Sequence, residues 1–423
     1  MTEQVRAFLI RHGMLDEGFS ILACAEKMRD EMEAALQGGE SSYPMIPTWL
    51  TAKTGVPENE AVVVIDAGGT NFRCGLVSFE DGECVEREVR KMTMPGVHEA
   101  ATWDEFICFA ADQIEDLLPE TDRIGFCFSY TADITPEIDG RVICIDKEVE
   151  IQDSEGQLVG ESLVKELERR GIHGKKAIVL NDTAAVQLGG MARHQKDGYR
   201  SFFGQVSGTG TNTCCTVPGE RIRKLGGRAY DMIINMESGL YNGLGRGDFD
   251  RQLDQESHNP GQKRFEKMTA GAYMGELCRL TLRGAADDGL LSPACCEAVN
   301  SLETVESFQA DQWAAGENLA VLDAESADIE VISAIARYLF ERSATLMCAN
   351  LTGMALLTDA GRNEKAAVIA EGSLVQKNRV YRPMLEKLIR EIMCEGLGRD
   401  ITLLVEEETT LEGTAAAALL NIA

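Results

Sequence analysis

No stretch of this sequence approaches the roughly 18 to 20 apolar residues that a membrane span needs. Its amino terminus lacks a basic region followed by an apolar one and a small-residue cleavage site. Thirteen cysteines are present, none as C-x-x-C, and the neighbours Cys214-Cys215 and Cys295-Cys296 lack metal-ligand spacing. Free thiols in a reducing cytosol are expected, and a cytoplasmic location with them. Positive charge is short: 41 Lys and Arg stand against 69 Asp and Glu, a formal charge of −28. That balance argues against a broad nucleic-acid-binding face, since phosphate backbones would be repelled. A small anion remains possible where backbone amides, a local Arg or a metal supply the positive charge. G-x-x-x-x-G-K-[ST] and the His-Arg-Asp loop are both missing, which sets aside P-loop NTPases and protein kinases.

What is there is organised around residues 62–77, VVVIDAGGTNFRCGLV. Val62, Val63, Val64 and Ile65 read as a short strand buried on both faces. Asp66 ends it, Gly68-Gly69 permit a tight turn, and Phe72, Cys74 and Leu76 alternate as a returning strand. Such a hairpin tip can cradle phosphate oxygens through backbone N–H groups and the Thr70 hydroxyl, with Asp66 facing the accompanying metal. Residues 202–217, FFGQVSGTGTNTCCTV, echo this pattern with a second strand, turn and strand.

Elsewhere strands and helices alternate, which makes an α/β architecture the natural reading. Helical spacing runs through residues 1–40, 101–118, 161–169, 262–283 and 326–357, and a small-residue helix starts at Thr414. Strands are expected at 84–89, 123–129, 176–180, 366–370 and 401–406. The acidic segment 284–325 suggests no function. Leu9-Ile10-Arg11-His12-Gly13 matches the Arg-His-Gly signature of histidine phosphatases, in which His12 would be the nucleophile. That chemistry needs the motif at the end of a buried strand, with a second His alongside. Here the surroundings read as helix and the chain holds five His.

The glycine-containing strand ends at 66–71, 208–212 and 371–373 and the Asn181-Asp182 pair are candidates for one cleft, since open α/β folds place ligands beyond the carboxyl ends of strands. Asp146, Asp182, Glu237 and Glu266 stand beside amides or turns. Carboxylates are efficient acceptors for sugar hydroxyls, and one of them close to a primary hydroxyl could take its proton during attack on a phosphoryl group.

The ordered segments IDAGGTNFR, FSYTADITPEIDG, LNDT, SGTGTN, INMESG, SHNPGQKRFEKMTAGAYMGELCRLTL and EGSLV resemble the hexokinase family of sugar kinases from about residue 43 to 418. The resemblance implies a two-domain α/β actin-like ATPase (ribonuclease H-like) fold closing over a hexose and MgATP in an interdomain cleft. It places the large domain in residues 1–60 and 184–410 and the small domain in 61–183 and 411–423. By this likeness Asp182 receives the proton of the sugar's 6-hydroxyl, with Arg73 near the transferred group. Asn181, Asn212, Glu237 and Glu266 hold other hydroxyls, and Ser129, Asp146 and Lys147 complete the sugar site. Gly68, Gly69, Thr70 and Asn71 meet the ATP phosphates, and Gly208, Thr209 and Gly210 form a second grip. Gly372-Ser373 and Gly413-Thr414 border the nucleoside, and Asp66 holds Mg²⁺ through water. The expected partners are therefore small molecules, with no nucleic acid and no membrane.

Three positions depart from the family pattern: Thr131 stands for a Pro, Asp146 for a Thr, and Ser238 for a Trp. Replacing a Thr by Asp146 exchanges a donor and acceptor for an acceptor alone, so glucose, mannose or another close hexose stays open. The alternative reading is a sugar-binding sensor of the same fold with weak catalysis. Bacterial sugar kinases and repressors that share DxGGT add a cysteine-rich zinc loop, which is missing here.

Overall fold

Val63, Ile65 and Ala67 point to one side of their strand and Val62 and Val64 to the other, and all are buried. A strand wrapped on both faces belongs at the centre of a sheet, where each such side chain contributes roughly 1.5 to 3 kcal/mol on burial. The computed structural model, which describes residues 1–53, 55–145, 149–226 and 230–422, places it there. The first sheet runs Glu83–Thr93, Asn71–Glu80, Val62–Gly68, Arg123–Phe128, Lys176–Leu180. The first three strands pair antiparallel and the last two join in parallel.

The second sheet repeats this order with Met232–Asn235, Thr211–Val217, Tyr199–Ser207, Lys365–Glu371 and Ile401–Val405, and adds Ile46–Pro47 at its edge. Its pairings have the same sense as those of the first. The likeness between residues 62–77 and 202–217 is thus a repeat of topology. It is the two-domain α/β plan of the actin-like ATPase fold.

Two helices separate the sheets. Asp182–Arg193 follows the last strand of the first sheet but packs on the second. Thr409–Asn421 follows the last strand of the second sheet but packs on the first. They cross closely because small residues meet: a Cβ on Gly413 would lie 1.8 Å from the Ala185 carbonyl oxygen. Ala415 to Ala418 are fully buried against the same layer. The outer face of the first sheet is covered by Trp103–Ile114 and Val159–Arg169. That of the second is covered by the 33-residue helix Ser326–Thr358 and its neighbours. The segment 284–325 forms helices Pro293–Ser301 and Ser307–Ala314, packed against Gly271–Asp287 and Ser326–Thr358.

Two expectations change. The helix expected over 262–283 is broken into Arg264–Thr269 and Gly271–Asp287 by Ala270, whose backbone is extended. The Gly271 amide there donates to the carbonyl of Gly208, so a turn of the second sheet enters the break. His12 is no strand-end nucleophile. It caps helix Glu3–Arg11, its ring bonded to Asp248 at 2.8 Å and set between Phe8 and Phe249. Its surroundings are those of a tie between helices. All thirteen cysteines are free thiols, and no described helix is long and apolar enough to cross a membrane.

Candidate active site

The carboxyl ends of the central strands of both sheets face one another, and the chemistry-bearing residues cluster there. Asp66 and Arg73 are direct cross-strand partners. Arg73 donates to Asp66 Oδ2 through Nε at 3.0 Å and Nη2 at 2.6 Å, leaving Oδ1 outside that pair. Burial raises the pKa of Asp66 against the pull of Arg73, and the nearby carboxylate of Asp182 raises it further. At the turn, Gly69 has φ +58°, and its carbonyl accepts from the Tyr130 hydroxyl at 2.8 Å. Gly68 needs its missing side chain, since a Cβ there would sit 2.9 Å from Ser129 Oγ. Thr70 and Asn71 complete the turn, with Asn71 exposed at its rim.

Asn181 caps the helix that Asp182 opens, accepting from the Thr183 amide at 2.9 Å. Asp182 accepts from the Thr183 amide at 2.7 Å and hydroxyl at 3.1 Å, both through Oδ1. A short polar residue at a strand-to-helix junction is held this way because the first-turn amides have no helical partners.

Across from it lies a network of amides and carboxylates. Asn212 Nδ2 donates to Asn235 Oδ1 at 2.8 Å and to Glu237 Oε1 at 3.1 Å, and Asn235 Nδ2 donates to the same Glu237 oxygen at 2.8 Å. Glu237 sits at φ +51°, and its pKa is raised by burial and by Asp182 and Glu266. Glu266 accepts from the Thr211 amide at 3.2 Å and faces Gly210, where a Cβ would come within 3.0 Å of it. Gly208 and Gly210 close the second turn through a 3.0 Å backbone bond, with Thr209 exposed between them. Gly372, at φ +120°, and Ser373 lie against Gly208. Among the described residues no three His, Cys, Asp or Glu side chains converge as a metal cage.

A cleft with an acid–guanidinium pair, two bare turns and facing Asn and Glu side chains suits an anion on one side and hydroxyls on the other. Comparison with known proteins gives the family. A hexokinase family model matches residues 202–420 and a second matches residues 17–191. The chain belongs to the hexokinase family. Hexokinase-1 of Spinacia oleracea is 26% identical over 434 residues, covering 93% of this chain and 86% of that one. Hexokinase-2 of Homo sapiens is 27% identical over 446 residues, covering 98% of this chain and 47% of that longer protein. By structure, the Schistosoma mansoni hexokinase complexed with glucose is similar at a TM-score of 0.79. It is 21% identical and covers 99% of this chain and 100% of its own. A second hexokinase crystal structure reaches 0.82 at 20% identity, with coverage of 99% and 100%. The protein is a hexokinase: its activity is phosphoryl transfer to a hexose.

Most residues expected in a hexokinase site meet at this cleft. Gly413 and Thr414 do not, and their expected place beside the nucleoside is corrected. Gly413 is buried at the helix crossing, and the fully buried Thr414 gives its hydroxyl to the Thr410 carbonyl. Asp146 and Lys147 lie outside the described residues. One residue of the cleft was missed from sequence, and Glu371, inside the expected strand end 371–373, was given no role. Asn235, two positions before Glu237, bridges Asn212 and Glu237. Glu371 binds the Thr409 amide and hydroxyl, and its pKa is raised by burial and by Asp182. A polar residue at the end of an apolar strand, as in the runs MIIN and KAAVIAE, was the available signal for both.

Proposed function

We propose that this hexokinase transfers the γ-phosphoryl group of MgATP to the 6-hydroxyl of a hexose, with glucose the first candidate and mannose or another close hexose the alternative. One observation carries the reading. Asp182 opens a helix between the Asp66–Arg73 turn and the network of Asn212, Asn235, Glu237 and Glu266. Both of its described contacts fall on Oδ1, so Oδ2 is the oxygen that receives the hydroxyl proton. Asn181, Asn212, Glu237 and Glu266 fix the ring by accepting from or donating to its other hydroxyls, with Ser129 closing from the opposite wall. Alignment of this kind is most of what phosphoryl transfer asks of a protein.

The turns fit a polyphosphate. Gly68 to Asn71 and Gly208 to Gly210 form tight turns, in which a Cβ on Gly68 would crowd Ser129 and one on Gly210 would crowd Glu266, and Arg73 supplies positive charge. Gly372 and Ser373 border the nucleoside end. Asp66 would hold Mg²⁺ through water, together with phosphate oxygens. Bound there, the ion screens the phosphate charge from Asp66, Asp182, Glu237 and Glu371.

ATP-dependent phosphorylation across glucose, mannose, fructose, glucosamine and N-acetylglucosamine tests the reading. Turnover on at least one hexose, lowered by roughly a hundredfold or more in folded Asp182→Asn, is the expected result. Hexose binding without any turnover would instead favour a sensor, which the departures at Thr131, Asp146 and Ser238 bring into view. Ser238 is fully buried and its hydroxyl has no partner among the described residues.

A further inference from the structure

The segment that leads from the edge of the second sheet into the first is held in an unusual way. Ile46–Pro47 pairs antiparallel with the strand Met232–Asn235, Ile46 opposite Asn235. Just beyond, the Thr48 amide and hydroxyl both donate to the Ile233 carbonyl, at 3.2 and 2.8 Å. The Ile233 amide donates back to the Leu50 carbonyl at 3.0 Å. Trp49, between these anchors, adopts φ +59° and is 7% exposed. A bulky residue in the left-handed region is an outlier that persists only where its surroundings over-determine it. The Trp49 indole N–H donates to the Ile134 carbonyl at 3.0 Å, and its ring packs in the core beneath the second sheet.

Ile134 belongs to another part of the molecule. It ends the strand Thr131–Ile134, which pairs with Gly140–Cys144 in a hairpin. The hairpin starts two residues after Ser129. Its tip is fastened to the strand that delivers Asn181 and Asp182, because the Val179 amide donates to the Ile138 carbonyl at 2.8 Å. Trp49 therefore joins the strand ending in Asn235, two residues from Glu237, to the hairpin shared by Ser129 and the Asp182 strand.

We propose that Trp49 is a positioning residue: it sets the spacing between the two walls of the hexose site through its hydrogen bond to Ile134. It touches neither substrate. Without the bond, the arrangement competent for hexose becomes a smaller fraction of the population, and apparent affinity falls by that fraction. Bound hexose restores the arrangement, so turnover at saturation is spared. This role presupposes the hexose site formed by Ser129, Asn181, Asn212 and Glu237.

Trp49→Phe keeps a ring and deletes the donor. Its KM for hexose and its calorimetric Kd for hexose without nucleotide should both rise roughly five- to tenfold, the range one lost hydrogen bond gives. Its kcat and its KM for ATP should stay within about twofold. Trp49→His, which returns an N–H, should recover part of the affinity. Thr48→Val, which removes the hydroxyl's part of the anchor on the other wall, should shift hexose KM by less and in the same direction. Unchanged hexose KM and Kd in Trp49→Phe would overturn the proposal. So would an equal loss in kcat and both KM values with a lowered melting temperature that Trp49→His does not relieve. The calorimetric reading separates this outcome from failure of the assigned base, which Asp182→Asn turnover reports on its own. If the wild type binds no hexose, the site reading and this role fall together.

Discussion

The two sheets share strand order and pairing sense but put different chemistry at equivalent points. In the first, the residue two places before the end of the central strand is Asp66, opposite Arg73. In the second it is Gln205, opposite Thr213 and bonded to Ser207 and Tyr381. One hairpin carries a buried ion pair and the other a neutral network. After the fifth strand the contrast recurs. Asn181-Asp182 opens into the cleft, whereas Glu406 is bound by Arg193 and His194. Between the third and fourth strands the second sheet carries the long helical insertion that brings Glu266. The same backbone plan thus places an acid–guanidinium pair in one half and an amide–carboxylate network in the other.

The sharpest way to break this comparison is at the two post-strand acids. Asp182→Asn should lower turnover roughly a hundred- to ten-thousandfold in a coupled assay, the range for a lost general base. Glu406→Gln, its counterpart, should shift melting and leave turnover near wild type. Equal losses of turnover would erase the distinction.

The hairpin pairs come next. Arg73→Ala leaves the Asp66 carboxylate buried without its partner and should cost roughly 3 kcal/mol in denaturant unfolding. The cost should depend on pH. A folded pKa above the unfolded one penalises the ionised form, so the penalty grows as pH rises past the unfolded value and shrinks in acid. Ser207→Ala in the second hairpin removes a neutral bond and should cost about 1 kcal/mol with little pH dependence. Gly413→Ala should destabilise by roughly 1 to 3 kcal/mol through overpacking at the helix crossing. A change in ATP affinity with unaltered melting would return that residue to the nucleotide.

The smallest effect is at His194. Burial works against its charged form, but Asp197 and Glu406, at 2.8 Å each, raise its pKa overall. A raised pKa gives stability that is complete below the unfolded value and lost as pH climbs through the folded one. Wild type should therefore lose a few tenths of a kcal/mol, below about 1, as pH rises past the ordinary histidine value of about 6.5, since a partly solvated pair is weak. His194→Gln should flatten that slope in pH-dependent melting.

Much of this was legible in residue order, and the exceptions have a common cause. Strand, turn and capping residues act on their chain neighbours, so VVVIDAGGTNFR and LND announce a phosphate-suited turn and an acid at a helix start. The same locality made residues 202–217 readable as a second hairpin. What depends on distant segments could not be read. Ala270 breaks a helix because the Gly208 turn occupies the gap. Gly413 is a packing residue because Ala185 lies 1.8 Å from where its Cβ would be. Asn235 matters because tertiary structure sets it between Asn212 and Glu237, and Glu371, on an expected strand end, gains its partner Thr409 only there. The sequence by itself determined the hairpins, the acid of the first and the family. Only the tertiary structure decided which small residues line the cleft and which face a helix, because a glycine permits both equally and burial alone tells them apart.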